Sequence, residues 1–279
     1  QNDNNALNRN MLNQSSRQMY EWGSHCFERL DNKVPYIISP GNHEYGYRRS
    51  ENANTHFNEY FTFERNSKLR DCLVAEFPNR QGFASLENSA YEFEDRHWGK
   101  LLVITTEFAP CDEVLEWAKK LVSSDKYKNH RVIFMTHSFL RERTAERIEK
   151  EGYTLQPRNW GQAVWEKLIQ PSANIDLVIC GHTGHPGDFE DAVAYREDTN
   201  AAGRKVAQMM FNVQVLGGGW EGNGGDGWLR ILEFMPDGRT IKVRAYSPLF
   251  GISPATKHLA HRTGACDQFD ILLDEKLKY

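Results

Sequence analysis

Apolar residues recur along this chain with two different periods, and the change from one to the other outlines its organisation. Over residues 5–30, Leu7, Met11, Met19, Trp22 and Phe27 stand among polar residues at roughly helical spacing, which predicts a helix from the start. VPYIIS (residues 34–39) is a β-branched and aromatic run bounded by Pro40-Gly41, and it predicts a buried strand that ends in a loop. SAYEFED and KLLVITTE flank His97-Trp98-Gly99 as the two arms of an antiparallel hairpin. Asp112 is placed to cap a helix running through Val122, and RVIFMTH (residues 131–137) reads as a strand that ends on a histidine. Residues 160–169 predict a helix stopped before Pro171, and IDLVICGH a strand that runs straight into a polar loop.

The remainder changes character. VAYRED, KVAQMMFNVQ, WLRILEF and TIKVRAYSP are strand-like, residues 217–227 form a glycine-rich loop, and Pro236-Asp237-Gly238 is a turn. Strands alternating with helices, followed by a β-rich half, predict an α+β core of two sheets rather than a Rossmann sheet.

Composition narrows this picture only a little. With 279 residues and 39% hydrophobic side chains the chain can bury a sizeable core, and one compact domain over residues 1–279 is the expectation. The 34 basic and 38 acidic residues are mixed along the chain, and a net charge of -4 gives no electrostatic case for nucleic acid or an anionic membrane as partner. No run approaches the roughly 20 apolar residues of a spanning helix, and QNDNNALNRN has neither the basic start nor the apolar middle of a signal peptide. Cys26, Cys72, Cys111, Cys180 and Cys266 are widely spaced without a CxxC pair, and Cys180, inside IDLVIC, reads as a buried free thiol.

The candidate chemistry sits at three strand ends: Asn42-His43-Glu44 in GNHE, His137 in MTHS, and His182 with His185 in GHTGH. Imidazole nitrogens and amide or carboxylate oxygens suit borderline divalent ions, and strand ends hold such donors rigidly. Gly41 and Gly181 precede two of these loops, where glycine permits a sharp turn. His25, His56, His97, His130, His258 and His261 carry no such context and read as ordinary core or surface groups.

Taken in this order, the three motifs resemble the calcineurin-like metallophosphoesterase family. YREDTNAAGRKVAQMMFNVQ, GGDGWLRILEF and IKVRAYSP are similar to the C-terminal part of a bacterial branch of it. The resemblance implies a four-layer αββα sandwich of two mixed sheets and hydrolysis of a phosphate mono- or diester by water activated between two divalent ions, Mn, Fe or Zn. Asn42, His137 and His182 match the ligands of one ion. His43 matches the histidine that stabilises the transition state or protonates the leaving oxygen, and Glu44 the support of its loop. The family's last motif is GHxH; here GHTGH puts two residues between His182 and His185, which leaves ligation of the second ion by His185 open. In the family, a strand with DxH and another ending in GDxxx precede GNHE. Neither motif occurs before GNHE here, so the resemblance implies a chain without those two strands, holding one ion or none. Tyr45 and Arg48, just after GNHE, are candidate substrate contacts, with packing of the tyrosine the alternative. The branch also implies a periplasmic or extracellular setting. A non-catalytic binding or scaffold protein with a degenerate metal site stays open as the other reading.

Overall fold

The computed structural model describes residues 15–46, 49–216 and 224–277. Eleven strands are described: β1 Leu73–Glu76, β2 Ser89–Asp95, β3 Gly99–Thr105, β4 Arg131–Met135, β5 Ile175–Cys180, β6 Val193–Thr199, β7 Lys205–Phe211, β8 Leu229–Phe234, β9 Thr240–Tyr246, β10 His261–Arg262 and β11 Gln268–Leu272. The first seven form one sheet in the order β1-β2-β3-β4-β5-β7-β6. Its centre is parallel, β3 to β4 to β5 to β7, and its outer pairs are antiparallel. In the second sheet β8, β10 and β11 all pair antiparallel with β9. The α+β, two-sheet expectation is borne out.

Side-chain alternation explains the layering. On β4, Val132 and Phe134 face the helices Asp112–Ser123 and Gly161–Val164, whereas Ile133 faces the second sheet. On β5, Val178 and Cys180 point to the helical side, and Leu177 and Ile179 meet Ile241, Val243 and Ile271. A strand covered on both faces reads as a near-continuous apolar run, as IDLVIC does apart from Asp176. Cys180 is buried and unpaired, and burial pushes its thiol up to about 12. No helix among the described residues is long and apolar enough to cross a membrane.

Four local expectations change. Residues 34–39 make no strand: the segment is extended but unpaired, with Val34 exposed and Tyr36, Ile37 and Ile38 packed only partly against an aromatic cluster around Phe57 and Phe61. A β-rich composition does not make a strand unless a neighbour offers a ladder, and none does among the described residues. The first helix is Ser16–Glu28, capped reciprocally by Ser15 and Gln18, and the rest of the predicted span toward residue 5 lies outside the described residues. Its inner face carries Ser16, Tyr20, Ser24 and Phe27, while Trp22 is exposed, because Arg65 binds the Ser24 hydroxyl at 2.7 Å and its carbonyl at 2.6 Å and fixes the rotation of the helix. Cys111, not Asp112, is the N-cap of Asp112–Ser123; Asp112 sits in the first turn, where a carboxylate favours the helix dipole. The helix of residues 160–169 is Gly161–Val164 continued by a π turn, Trp165–Ile169.

Asp176, on β5, ties three parts of the chain together. It accepts from Arg131 at 2.8 Å and Arg204 at 3.0 Å, and Arg131 also donates to the Asp274 carbonyl at 2.7 Å. Removing the carboxylate leaves two guanidinium groups short of their counter-charge in the interior. Asp176→Ala is therefore expected to cost about 3–5 kcal/mol, measured as a lower urea midpoint. Glu116→Ala, which removes an exposed partner of Lys120, should move stability by no more than about 0.5 kcal/mol.

Candidate metal centre

The three strand-end motifs meet. GNHE forms a 3₁₀ turn, Asn42–Tyr45, entered from Gly41 in extended backbone. Asn42 Nδ2 donates to the Tyr153 hydroxyl at 3.1 Å, which fixes the amide so that Oδ1 points to His137 Nε2 at 3.0 Å. His137 Nε2 lies in turn 3.0 Å from His182 Nδ1, and His182 Nε2 lies 2.9 Å from Glu151 Oε1. Glu151 takes a second bond from the Ser138 hydroxyl at 2.9 Å. Phe108, fully buried, sets its ring against His137, His182, Tyr153 and Trp160 and closes the inner side of the cluster.

Backbone chemistry explains why the donors reach these places. A Cβ on Gly41 would sit 2.9 Å from His137 Cε1, 3.0 Å from Glu44 Oε2 and 3.1 Å from His137 Nε2, so any larger residue would have to displace the His137 ring. Glu44 closes the turn by accepting from the Gly41 amide at 2.6 Å, and burial pushes its carboxyl up. Gly181, by contrast, needs no glycine: an added Cβ would make only an ordinary contact with the Phe211 carbonyl at 3.5 Å. The left-handed residue is His182 itself, at φ 74, a conformation that costs a non-glycine residue of order 1–3 kcal/mol and tends to mark functional sites. Asn212 Nδ2 holds it by donating to the His182 carbonyl at 2.8 Å.

Electrostatically the cluster is set up for lone pairs. Burial first, then the facing His182 and His43, hold His137 well below the usual imidazole range, so its ring is neutral at neutral pH. An N–H on His182 Nε2 directed at Glu151 leaves Nδ1 as an acceptor, the arrangement in which a carboxylate orients a metal-ligating imidazole. Asn42 Oδ1, His137 Nε2 and His182 Nδ1 thus converge, with one proton at most to share among them. Neighbouring atoms of this row, Asn42 Oδ1 to His137 Nε2 and His137 Nε2 to His182 Nδ1, each stand 3.0 Å apart. The set contains two imidazoles and an amide. No group of three His, Cys, Asp or Glu suited to a metal occurs among the described residues. Asn42 Oδ1, His137 Nε2 and His182 Nδ1 are the atoms of this cluster that could hold a divalent ion.

The other candidates lie elsewhere. His185 is not part of this cluster: Nδ1 accepts from the Gly187 amide at 3.1 Å and lies 3.5 Å from Asp191, and Nε2 lies 3.4 Å from Arg143. Tyr45 is completely buried and its hydroxyl donates to Glu87, so packing replaces the substrate contact considered for it. Arg48 lies outside the described residues. Glu151 and Tyr153 were not singled out from the sequence, because their partners are 31 and 111 residues away and no local pattern marks them.

A profile of the calcineurin-like phosphoesterase family matches residues 9–186, and the chain belongs to that family. The family's general chemistry is phosphoester hydrolysis with divalent metals. A curated relative from Bacillus subtilis (strain 168), described as "Uncharacterized protein YvnB", is 23% identical over 248 residues. The alignment takes in 87% of this chain and 16% of the relative, so the chain spans about one sixth of that protein's length.

Two tests address the geometry. Gly41→Ala is expected to push the His137 ring aside and shift its imidazole NMR resonances, whereas Gly23→Ala, in an open helical position, should leave them in place and stabilise by about 1 kcal/mol. Glu107, one residue before Phe108, is pushed up to about 7 by burial even though Arg80 stands 3.0 Å away. A carboxyl raised in the folded state binds its proton more tightly there than in the unfolded chain. Its contribution is therefore full below about 4.5 and is lost as pH rises through about 7. Wild-type stability relative to Glu107→Gln should accordingly fall across that window by an amount on the order of 3 kcal/mol, followed by chemical denaturation at each pH.

Proposed function

We propose that this chain hydrolyses a phosphate ester with a divalent ion held by Asn42, His137 and His182. The observation that carries the reading is the convergence of their three donor atoms, with the far nitrogen of His182 placed on Glu151. A bound ion would supply Lewis-acid polarisation of a phosphoryl oxygen. The chain's own groups do the rest. Tyr153 fixes which face of the Asn42 amide is presented, Glu151 orients His182, and Phe108 keeps water from the inner side of the cluster. His43, next to Asn42 in the same turn, is the group proposed to offset charge on the departing oxygen. His185 is engaged by the Gly187 amide, Asp191 and Arg143 rather than by the three donors, so the proposal is for one ion among the described residues.

Calorimetric titration with Mn²⁺ and turnover of 4-nitrophenyl phosphate test this together. Glu151→Gln is expected to weaken metal binding about 10–100-fold, as loss of an orienting partner does. His43→Ala should retain metal binding and lower kcat by about 10²–10⁴, and unchanged turnover would remove His43 from the mechanism. Metal binding that survives the double substitution of His137 and His182 by alanine would sink the proposed centre. Inactivity at every metal concentration would instead favour a binding or scaffold role for the fold.

A further inference from the structure

The ion-binding cluster opens beside a cleft of about 450 Å³ lined by Arg49, Arg141, Lys150, Glu151 and Tyr153 with Gly152. Two of these residues belong to the cluster's own hydrogen bonds: Tyr153 to Asn42, and Glu151 to His182. The cleft is built by the backbone. Thr154 donates to the Arg49 carbonyl through its amide at 2.7 Å and its hydroxyl at 3.2 Å, and the Ser50 hydroxyl donates to the Asn42 carbonyl at 2.8 Å. The loop that carries Arg49 is thereby fixed to the Asn42 turn on one side and to the segment of Lys150 and Tyr153 on the other.

Its charge is one-sided. Arg49, Arg141 and Lys150 form no ion pair among the described residues; the one side-chain bond of the three is from Arg141 to the Lys150 carbonyl, at 3.4 Å. The one lining carboxylate, Glu151, already accepts from Ser138 and faces His182. A second cleft, which shares Arg141 and is lined also by His185, differs in just this respect: it contains Glu142, Glu190 and Asp191, and its Arg143 is paired with Asp191 at 2.8 Å. Anionic groups are thus favoured on the Arg49 and Lys150 side and not on the His185 side.

We infer that the Arg49, Arg141 and Lys150 cleft is a leaving-group subsite for a second phosphate, so that the substrates are phosphate esters or anhydrides whose leaving group itself bears a phosphate. The inference rests on the proposed hydrolysis for its chemical step but not for its binding. In that step the water oxygen bonds to the first phosphorus and the bond from that phosphorus to the ester or anhydride oxygen breaks. The electron pair stays on the departing oxygen, which takes a proton derived from the water, giving orthophosphate and a phosphate-bearing fragment. Guanidinium and ammonium groups match phosphate oxygens through charge-assisted bonds, and a leaving group that carries two or more charges gains most from three cations with no ion pair among the described residues.

Calorimetry in metal-free buffer with inorganic pyrophosphate and orthophosphate reads the subsite alone. Pyrophosphate is expected to bind at least about tenfold more tightly, and Arg49→Glu or Lys150→Glu should each reduce that preference about tenfold. Lys128→Glu, at a half-buried residue paired with Asp125, should not change it. The preference should shrink as salt is raised from 0.05 to 0.5 M, as for any solvent-open charge pair. Equal affinity for the two anions, or a preference untouched by both reversals, overturns the inference. If 4-nitrophenyl phosphate is turned over while pyrophosphate shows no preference, the subsite fails and the hydrolase reading stands. If the preference holds and no ester is turned over, the reverse is true.

Discussion

Parallel pairing of β4 with β5 is the constraint on which the centre depends. The ladder sets Phe134 beside Val178 and Met135 beside Ile179, so the two strands stop at the same level and release His137 and His182 together. It continues past the strands: Thr136 donates to the Ile179 carbonyl at 3.1 Å, and Gly181 to the His137 carbonyl at 3.0 Å. On the other side β3 ends level with β4, and Ser39 donates to the Thr106 carbonyl at 3.0 Å, delivering the Asn42 turn to the same rim. A shift of one residue in either ladder would turn a member of the cluster to the opposite face of the sheet. Both faces are buried by different partners, so that shift would also move Ile133 and Phe134 into the wrong layer, and packing protects the register that assembles the cluster.

The centre also shows what it costs to gather acceptors in an apolar pocket. Asn42 Oδ1, His137 Nε2 and His182 Nδ1 approach one another against Phe108, where water cannot easily relieve them. Polar groups buried in this way must be satisfied or they destabilise the fold by a few kcal/mol each. Their outward bonds, to Tyr153 and Glu151, are therefore as much structural as functional. A neutral His137 avoids a third penalty, that of an ion in the same pocket.

Much of this was legible in the sequence, and the boundary of legibility has a physical cause. IDLVIC and RVIFM announce themselves because a strand buried on both faces is apolar almost throughout, each here with one charged residue near its start, and a histidine just past the end of such a run stands out. GNHE is local, with Gly41 capping the turn Asn42–Tyr45 that holds the other three residues. What could not be seen was set by partners far along the chain. Trp22 looks like a core residue until Arg65 fixes the helix with Ser24 inward. Residues 34–39 look like a strand, but no neighbour among the described residues presents a ladder to them. Glu151 and Arg49 carry no periodicity at all, and their roles come only from the loops that hold them against the strand ends.

The centre is not contained in the segment that carries its motifs. The family profile ends at residue 186, yet β7 lies between β5 and β6, and Asn212, directly after β7, bonds the carbonyl of His182. That bond bears on the left-handed backbone of His182, which nothing in the residue's own chemistry favours. Gly184 adds to the fit, since a Cβ there would stand 3.3 Å from Asn212 Nδ2 and 3.3 Å from the Asn212 carbonyl. β7 is in turn held from behind, because Ala207 and Met209 pack on Ile241 and Val243 of the second sheet. The β-rich half therefore reaches the chemistry through one strand end. Its antiparallel sheet braces β7, β7 positions Asn212, and Asn212 keeps His182 Nδ1 turned toward His137.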